Sequence, residues 1–121
     1  CLRCHQVKNQ GGVVGPNLGT IASLRSRAHL LESILDPNLE IAPGFENALL
    51  TLASGRTHAG VVRSETDKEI VLDSPEDGLL TLPKADVTRR QRTLSAMPEG
   101  LGKMLTPFEL RDLVEFLSSL R

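Results

Sequence analysis

Apolar residues recur along this chain with two different periods, and each period predicts a different kind of element. In residues 26–35, Ala28, Leu31, Ile34 and Leu35 fall on one face at helical spacing. Ser26 is a suitable N-cap. Asp36-Pro37 ends the helix, because the residue before a proline disfavours helical backbone. Residues 106–120 carry the best helical pattern, with Leu110, Leu113, Val114, Leu117 and Leu120 as the apolar stripe. Thr106 is the N-cap there, Pro107 takes the first helical position and Glu109 completes a capping box.

Between these helices the period changes. Glu46–Ala53 and Thr57–Ser64 are strand-length runs separated by Ser54-Gly55-Arg56. Glu69–Asp73 and Leu79–Leu82 are separated by Pro75-Glu76-Asp77-Gly78, again a turn signal. A further short strand is expected over Ala85–Arg90. Residues 46–92 therefore read as an antiparallel meander, inserted on a helical scaffold.

Composition narrows what the chain can do. Of 121 residues 40% are apolar, yet there is no Trp, no Tyr and only three Phe. Aromatic side chains usually supply large pieces of a core, so Leu and Val must build this one or a bound group must fill it. The 14 basic and 15 acidic residues leave a net charge of −1, which argues against nucleic acid as a partner. No apolar run approaches the ~20 residues of a membrane-spanning helix. The chain opens on Cys1 without a starting Met, and is expected to be a fragment or processed product of a longer protein.

The chemistry concentrates at the start, in Cys1-Leu2-Arg3-Cys4-His5. Two thiols at this spacing can add to the two vinyl groups of one haem, and the adjacent imidazole can reach its iron; this is the c-type haem attachment pattern. A zinc half-site and a redox dithiol are the other uses of such a pair. Structural zinc wants four ligands, usually as two pairs, and there is no second Cys pair. A redox dithiol belongs between strand and helix in a βαβ unit, which the pattern does not contain. A haem iron takes a sixth ligand or keeps an open site. Pro98 holds Met97 extended, and a thioether suits haem iron; on spacing alone Met97 serves equally well as a gap filler. Met104 is expected to pack into the core, and His29 and His58 to be surface or satisfied histidines rather than ligands. Lys84, Arg89, Arg90 and Arg92 form a small basic cluster, most simply a solvated strand edge.

The order of these segments resembles a class I cytochrome c: Cys1-Leu2-Arg3-Cys4-His5, then Gly15-Pro16-Asn17-Leu18, then Met97-Pro98, then a final amphipathic helix. It is more similar still to the haem-binding domains at the ends of large multidomain proteins of planctomycetes and related bacteria. Leu30-Leu31-Glu32-Ser33-Ile34-Leu35-Asp36-Pro37-Asn38, Ile41-Ala42-Pro43-Gly44-Phe45 and Leu105-Thr106 carry that likeness, which covers nearly the whole chain. The resemblance implies thioethers from Cys1 and Cys4, His5 as proximal ligand and Met97 as distal ligand. It implies that the Pro16 carbonyl accepts a hydrogen bond from His5, fixing the ring. The chain departs from the class in having no helix before the first Cys, and in Phe116 where the family often carries Tyr.

The expected fold is mostly α, a single cytochrome c-like domain over residues 1–121 with the β-meander of 46–92 inserted. The expected function is one-electron transfer by covalent haem c, with a redox partner protein or a fused dehydrogenase domain, in the periplasm or otherwise exported. Two rivals stand beside it: a haem enzyme or gas sensor with an open iron site, and a haem-free interaction domain built on the β block.

Overall fold

A computed structural model describes residues 1–121. The chain divides into two compact units, one made of Cys1–Glu40 with Ala96–Arg121 and one of Ile41–Ser95.

The first unit begins with a tight turn and a short hairpin. Strand β1 (Gln6–Val7) pairs antiparallel with β2 (Gln10–Gly11). The two loop residues, Lys8 and Asn9, both have positive φ (50° and 65°), the conformation of a two-residue hairpin whose twist matches its strands. A turn of 3-10 helix follows at Ile21–Ser23. Helix α1 (Arg27–Leu35) starts at Ser26, whose Oγ accepts the His29 amide at 3.2 Å, and stops before Pro37. Its buried residues are Leu30 and Ile34; of the expected face of Ala28, Leu31, Ile34 and Leu35 only Ile34 is buried, and the other three are exposed. Apolar residues lie on several sides of this short helix, so periodicity alone does not select the buried pair.

Helix α2 (Pro107–Ser118) has both halves of its capping box at 3.1 Å, Thr106 N to Glu109 Oε2 and Glu109 N to Thr106 Oγ1. Leu30 and Ile34 of α1 pack with Leu117 and Leu120 to form the unit's core. Val7, Leu18, Ile21, Met97, Leu110, Leu113 and Val114 pack against it. The Ala22 amide donates to the Leu120 carbonyl at 2.9 Å, tying the end of α2 to the 3-10 turn.

The second unit is a five-stranded antiparallel sheet of β3 (Glu46–Leu52), β4 (Thr57–Glu65), β5 (Glu69–Ser74), β6 (Gly78–Pro83) and β7 (Val87–Arg92). The order is β6-β5-β4-β3-β7. The first four strands form a meander, and β7 crosses to pair with β3, with Leu50 opposite Arg90. A straight β4 would be about 26 Å long. Yet the three-residue turn Lys84–Asp86 reaches both of its ends: Lys84 N donates to Lys68 O beyond one end, and Ala53 N to Asp86 O before the other, each at 2.8 Å. The sheet is therefore strongly curled. Irregular register between Val62 and Ser64 and between Thr51 and Leu52 supplies bends of the kind that bulges make. Ala48, Leu50, Val62, Ile70, Leu72 and Leu82 alternate inward and form the core. Gly60 is buried where a Cβ would strike the Asp73 carbonyl oxygen.

The expectation of a mostly α chain is overturned, since 31% of residues are strand and 26% helical. Only two segments carry a true helical period, while five carry strand patterning. The two helices cover too little of the chain to make it mostly α, and the Gly- and Pro-rich opening segment forms a hairpin and one 3-10 turn. No helix is long and apolar enough to cross a membrane.

Candidate functional site

Cys1 to His5 form a single turn of helical character. The Cys1 carbonyl accepts the amides of Cys4 at 3.0 Å and His5 at 2.8 Å. Cys4 and His5 thus both follow Cys1 by one turn of backbone. Both cysteines are free thiols, Cys1 exposed and Cys4 half-buried. This N-terminal turn is strapped down by the loop that follows. Gly12 N donates to Leu2 O, and Gly15 N to Cys4 O, each at 2.9 Å.

Glycine is needed in this strap for space. A Cβ on Gly12 would collide with the Arg3 carbonyl, and one on Gly11 with the His5 carbonyl. A Cβ on Gly15 would lie 2.5 Å from His5 Cε1, 2.8 Å from Nδ1 and 3.0 Å from Nε2. The backbone at Gly15 therefore runs directly against the imidazole.

His5 Nδ1 lies 2.7 Å from the Pro16 carbonyl oxygen. A carbonyl can only accept, so Nδ1 carries the proton and the neutral ring keeps its lone pair on Nε2. The carbonyl is itself held in place. Asn17 Oδ1 accepts the Gly19 amide at 2.7 Å, Asn17 Nδ2 donates to Gln6 Oε1 at 3.2 Å, and Leu18 N donates to Gln6 O at 2.9 Å. The contribution of Asn17 was not legible in the sequence beyond its place after Pro16.

Met97 is half-buried and packs on the cluster of Leu30, Ile34, Leu117 and Leu120. Val7 and Leu18, two residues beyond His5 and Pro16, pack on that same cluster. The attachment segment and the methionine loop thus share one apolar floor. The loop is further tied by Asn38 Nδ2 to Glu99 Oε1 at 2.6 Å. Met104, expected in the core, is instead 80% exposed. It ends the 3-10 turn Leu101–Met104, where Leu101 and Gly102 are the half-buried residues.

The other histidines are engaged by carboxylates. His29 Nδ1 is 3.9 Å from Glu40 Oε2, and His58 Nδ1 is 2.8 Å from Asp77 Oδ2. No group of three or more His, Cys, Asp or Glu side chains gathers so as to hold a metal ion. The basic cluster lies on and beside the edge strand β7. Lys84 Nζ is 2.9 Å from Glu65 Oε2, and Arg90 pairs with Glu65 and Glu46. These cations, first Lys84 and then Arg90, hold the Glu65 carboxyl below the usual carboxylate value. A cleft of about 300 Å³ beside them is lined by Ile70, Lys84, Val87, Thr88, Arg89 and Arg90, with neither thiol nor imidazole.

The first unit thus places two free thiols and the His5 imidazole on its opening segment, and the Met97 sulfur on a loop that packs on the same apolar cluster. Compared with known proteins, the chain matches no family model and no curated protein.

Proposed function

We propose that this chain is a covalent haem c domain that carries single electrons. The observation that carries the reading is the 2.7 Å contact from His5 Nδ1 to Pro16 O, which leaves Nε2 as a metal donor one turn from two free thiols. A haem, when bound, supplies a one-electron couple between ferric and ferrous iron. Cys1 and Cys4 would hold it by thioethers. His5 Nε2 and the Met97 sulfur would hold its iron, and the Pro16 carbonyl would keep the His5 ring oriented.

The apolar surface of the first unit supports the same reading. Leu2, Val13 and Val14 are exposed beside the attachment turn. Exposed apolar groups are costly in water, and the face of a haem would cover them. The Met97 loop and the attachment segment rest on one cluster, so neither donor need be brought in from a separate core. A redox partner protein or a fused dehydrogenase domain would exchange electrons with this domain, in the periplasm or another exported compartment.

The test is production in a host with haem c maturation machinery. Visible spectra of both redox states, with a denatured pyridine haemochrome, are expected to show low-spin haem that survives denaturation. Met97→Ala is expected to abolish the sulfur-to-iron band, lower the potential and open the iron to added ligands. An unchanged spectrum and potential would exclude Met97 as ligand. A high-spin covalent haem would favour an enzyme or sensor, and no covalent haem would remove the proposal.

A further inference from the structure

We propose that the free edge of β7 docks an extended acidic segment of a partner protein, which adds to the sheet as a further strand. The inference concerns the sheet unit alone and stands apart from the haem reading.

β7 is the last strand in the order and is paired on one side only. Two backbone bonds fix which of its residues face the open side. Thr93 N donates to Asn47 O, and Leu52 N to Arg56 O. Bonded pairs alternate along an antiparallel ladder. With Leu49 opposite Gln91 and Leu50 opposite His58, Leu49 and Thr51 therefore bond to β7, while Ala48 and Leu50 bond to β4. Arg92 and Arg90, opposite Ala48 and Leu50, turn their amides and carbonyls away from β3. Every residue of 88–92 is exposed. Backbone groups so placed are a template for another strand.

A cleft runs along this edge. It touches Val87, Thr88, Arg89 and Arg90 together with Lys84 and Ile70. Successive side chains of a strand point to opposite faces, so a cleft that meets four residues in a row lies against the strand's edge. β3 occupies the other edge. Ile70 and Val87 give the cleft an apolar lining that can seat a side chain of the added strand.

Charge selects the occupant. Residues 84–92 hold four cations, Lys84, Arg89, Arg90 and Arg92, and one carboxylate, Asp86, in a chain of net charge −1. Lys84 and Arg90 are engaged by Glu65, and Arg90 by Glu46 as well. Arg89 and Arg92 have no carboxylate partner within the chain. They stand on opposite faces of the strand, so acids on either face of an added strand meet one of them. A second copy of β7 would set arginine against arginine, which is unfavourable. A basic edge alone only keeps other strands away; unpaired arginines beside an apolar cleft make it an edge that selects an acidic one.

The test is fluorescence anisotropy and amide hydrogen exchange of the whole chain with a labelled peptide that repeats Glu-Glu-Val-Val. Each face of such a strand carries an acid and an apolar residue in turn. Without peptide, the amides of Arg89 and Gln91 are expected to be protected by β3, and those of Arg90 and Arg92 to exchange freely. Bound peptide is expected to slow Arg90 and Arg92. Replacing both exposed arginines, Arg89→Ala with Arg92→Ala, is expected to weaken binding roughly tenfold, the scale of two surface ion pairs. The same peptide N-methylated throughout keeps its charge but has no amide to donate, and is expected not to bind. Failure of the parent peptide to bind overturns the proposal. So does equal binding by the N-methylated peptide, which would reduce the contact to charge, or undiminished binding by the double variant. Protection of Arg90 and Arg92 without peptide, in a chain that sediments as a dimer, would assign the edge to a second copy and overturn it as well.

Discussion

The two units solve the problem of burial in opposite ways. The sheet unit buries six apolar side chains in one cluster and leaves only Leu79 and Leu94 as exposed large apolar residues. The helical unit buries four and leaves ten exposed: Leu2, Val13, Val14, Leu24, Leu31, Leu35, Leu39, Met104, Phe108 and Phe116. The sheet forms its core because alternate side chains of β3, β4 and β5 face inward. The helical unit has two short helices and a long irregular opening segment, which together enclose little volume. A core this small removes less apolar surface from water, so it stabilises its unit less than the sheet's core does.

The sharpest way to break this comparison is to truncate one core residue in each unit. Leu50 and Leu72 are completely buried in the sheet. Leu50→Ala is expected to cost about 2–5 kcal/mol, the usual range for a buried Leu that leaves a cavity. Leu30→Ala, in the four-residue cluster of the helical unit, is expected at the low end of that range, because a loosely enclosed site can collapse around the gap. Urea unfolding, with amide hydrogen exchange to assign each loss to its own unit, reads both. Equal costs would mean that the helical unit is packed as tightly as the sheet.

How legible each unit was in the sequence follows from the same contrast. The five strands lie within two residues of the runs marked by alternation and turn signals. What alternation could not give was the pairing of β7 with β3. Local patterning says where a strand is but not which neighbour it chooses, and that choice rests on the curl around β4 and the turn Lys84–Asp86. In the helical unit the caps at Ser26 and Thr106 were readable, because a cap is a local arrangement of side chain and amide. The buried face of α1 was readable only at Ile34, since Leu30 is chosen by its packing with Leu117 and Leu120 from a distant stretch of chain. At the site, Cys1, Cys4 and His5 were found by spacing. The steric role of Gly15 depends on where the loop returns, and no spacing rule reports that.

A smaller effect tests whether the helical unit depends on its ends. The Thr106–Glu109 capping box is complete, and α2 carries Leu117 of the small core. Thr106→Ala is expected to cost about 0.5–2 kcal/mol, the range for loss of a side-chain cap. In a unit with four core residues, that loss should show as faster exchange of the α2 amides. Exchange equal to the parent's would mean that α2 is held by packing alone.

The smallest effect concerns charge in the sheet unit. Glu65 is exposed, so its ion pairs with Lys84 and Arg90 are weakened by solvent. Its carboxyl is nevertheless held below the usual value, first by the hydrogen bond from Lys84 and then by that from Arg90. A carboxyl that binds its proton less readily when folded than when unfolded adds stability above its unfolded value, and that stability is lost as pH falls through the lowered folded value. Glu65→Gln removes this charge. The variant is expected to be slightly less stable than the parent at neutral pH, and the gap should close in acid. Urea midpoints of both proteins across that acid limb are the measurement. A gap that stays constant with pH would show that Glu65 contributes by packing, leaving the sheet's stability to its apolar interior.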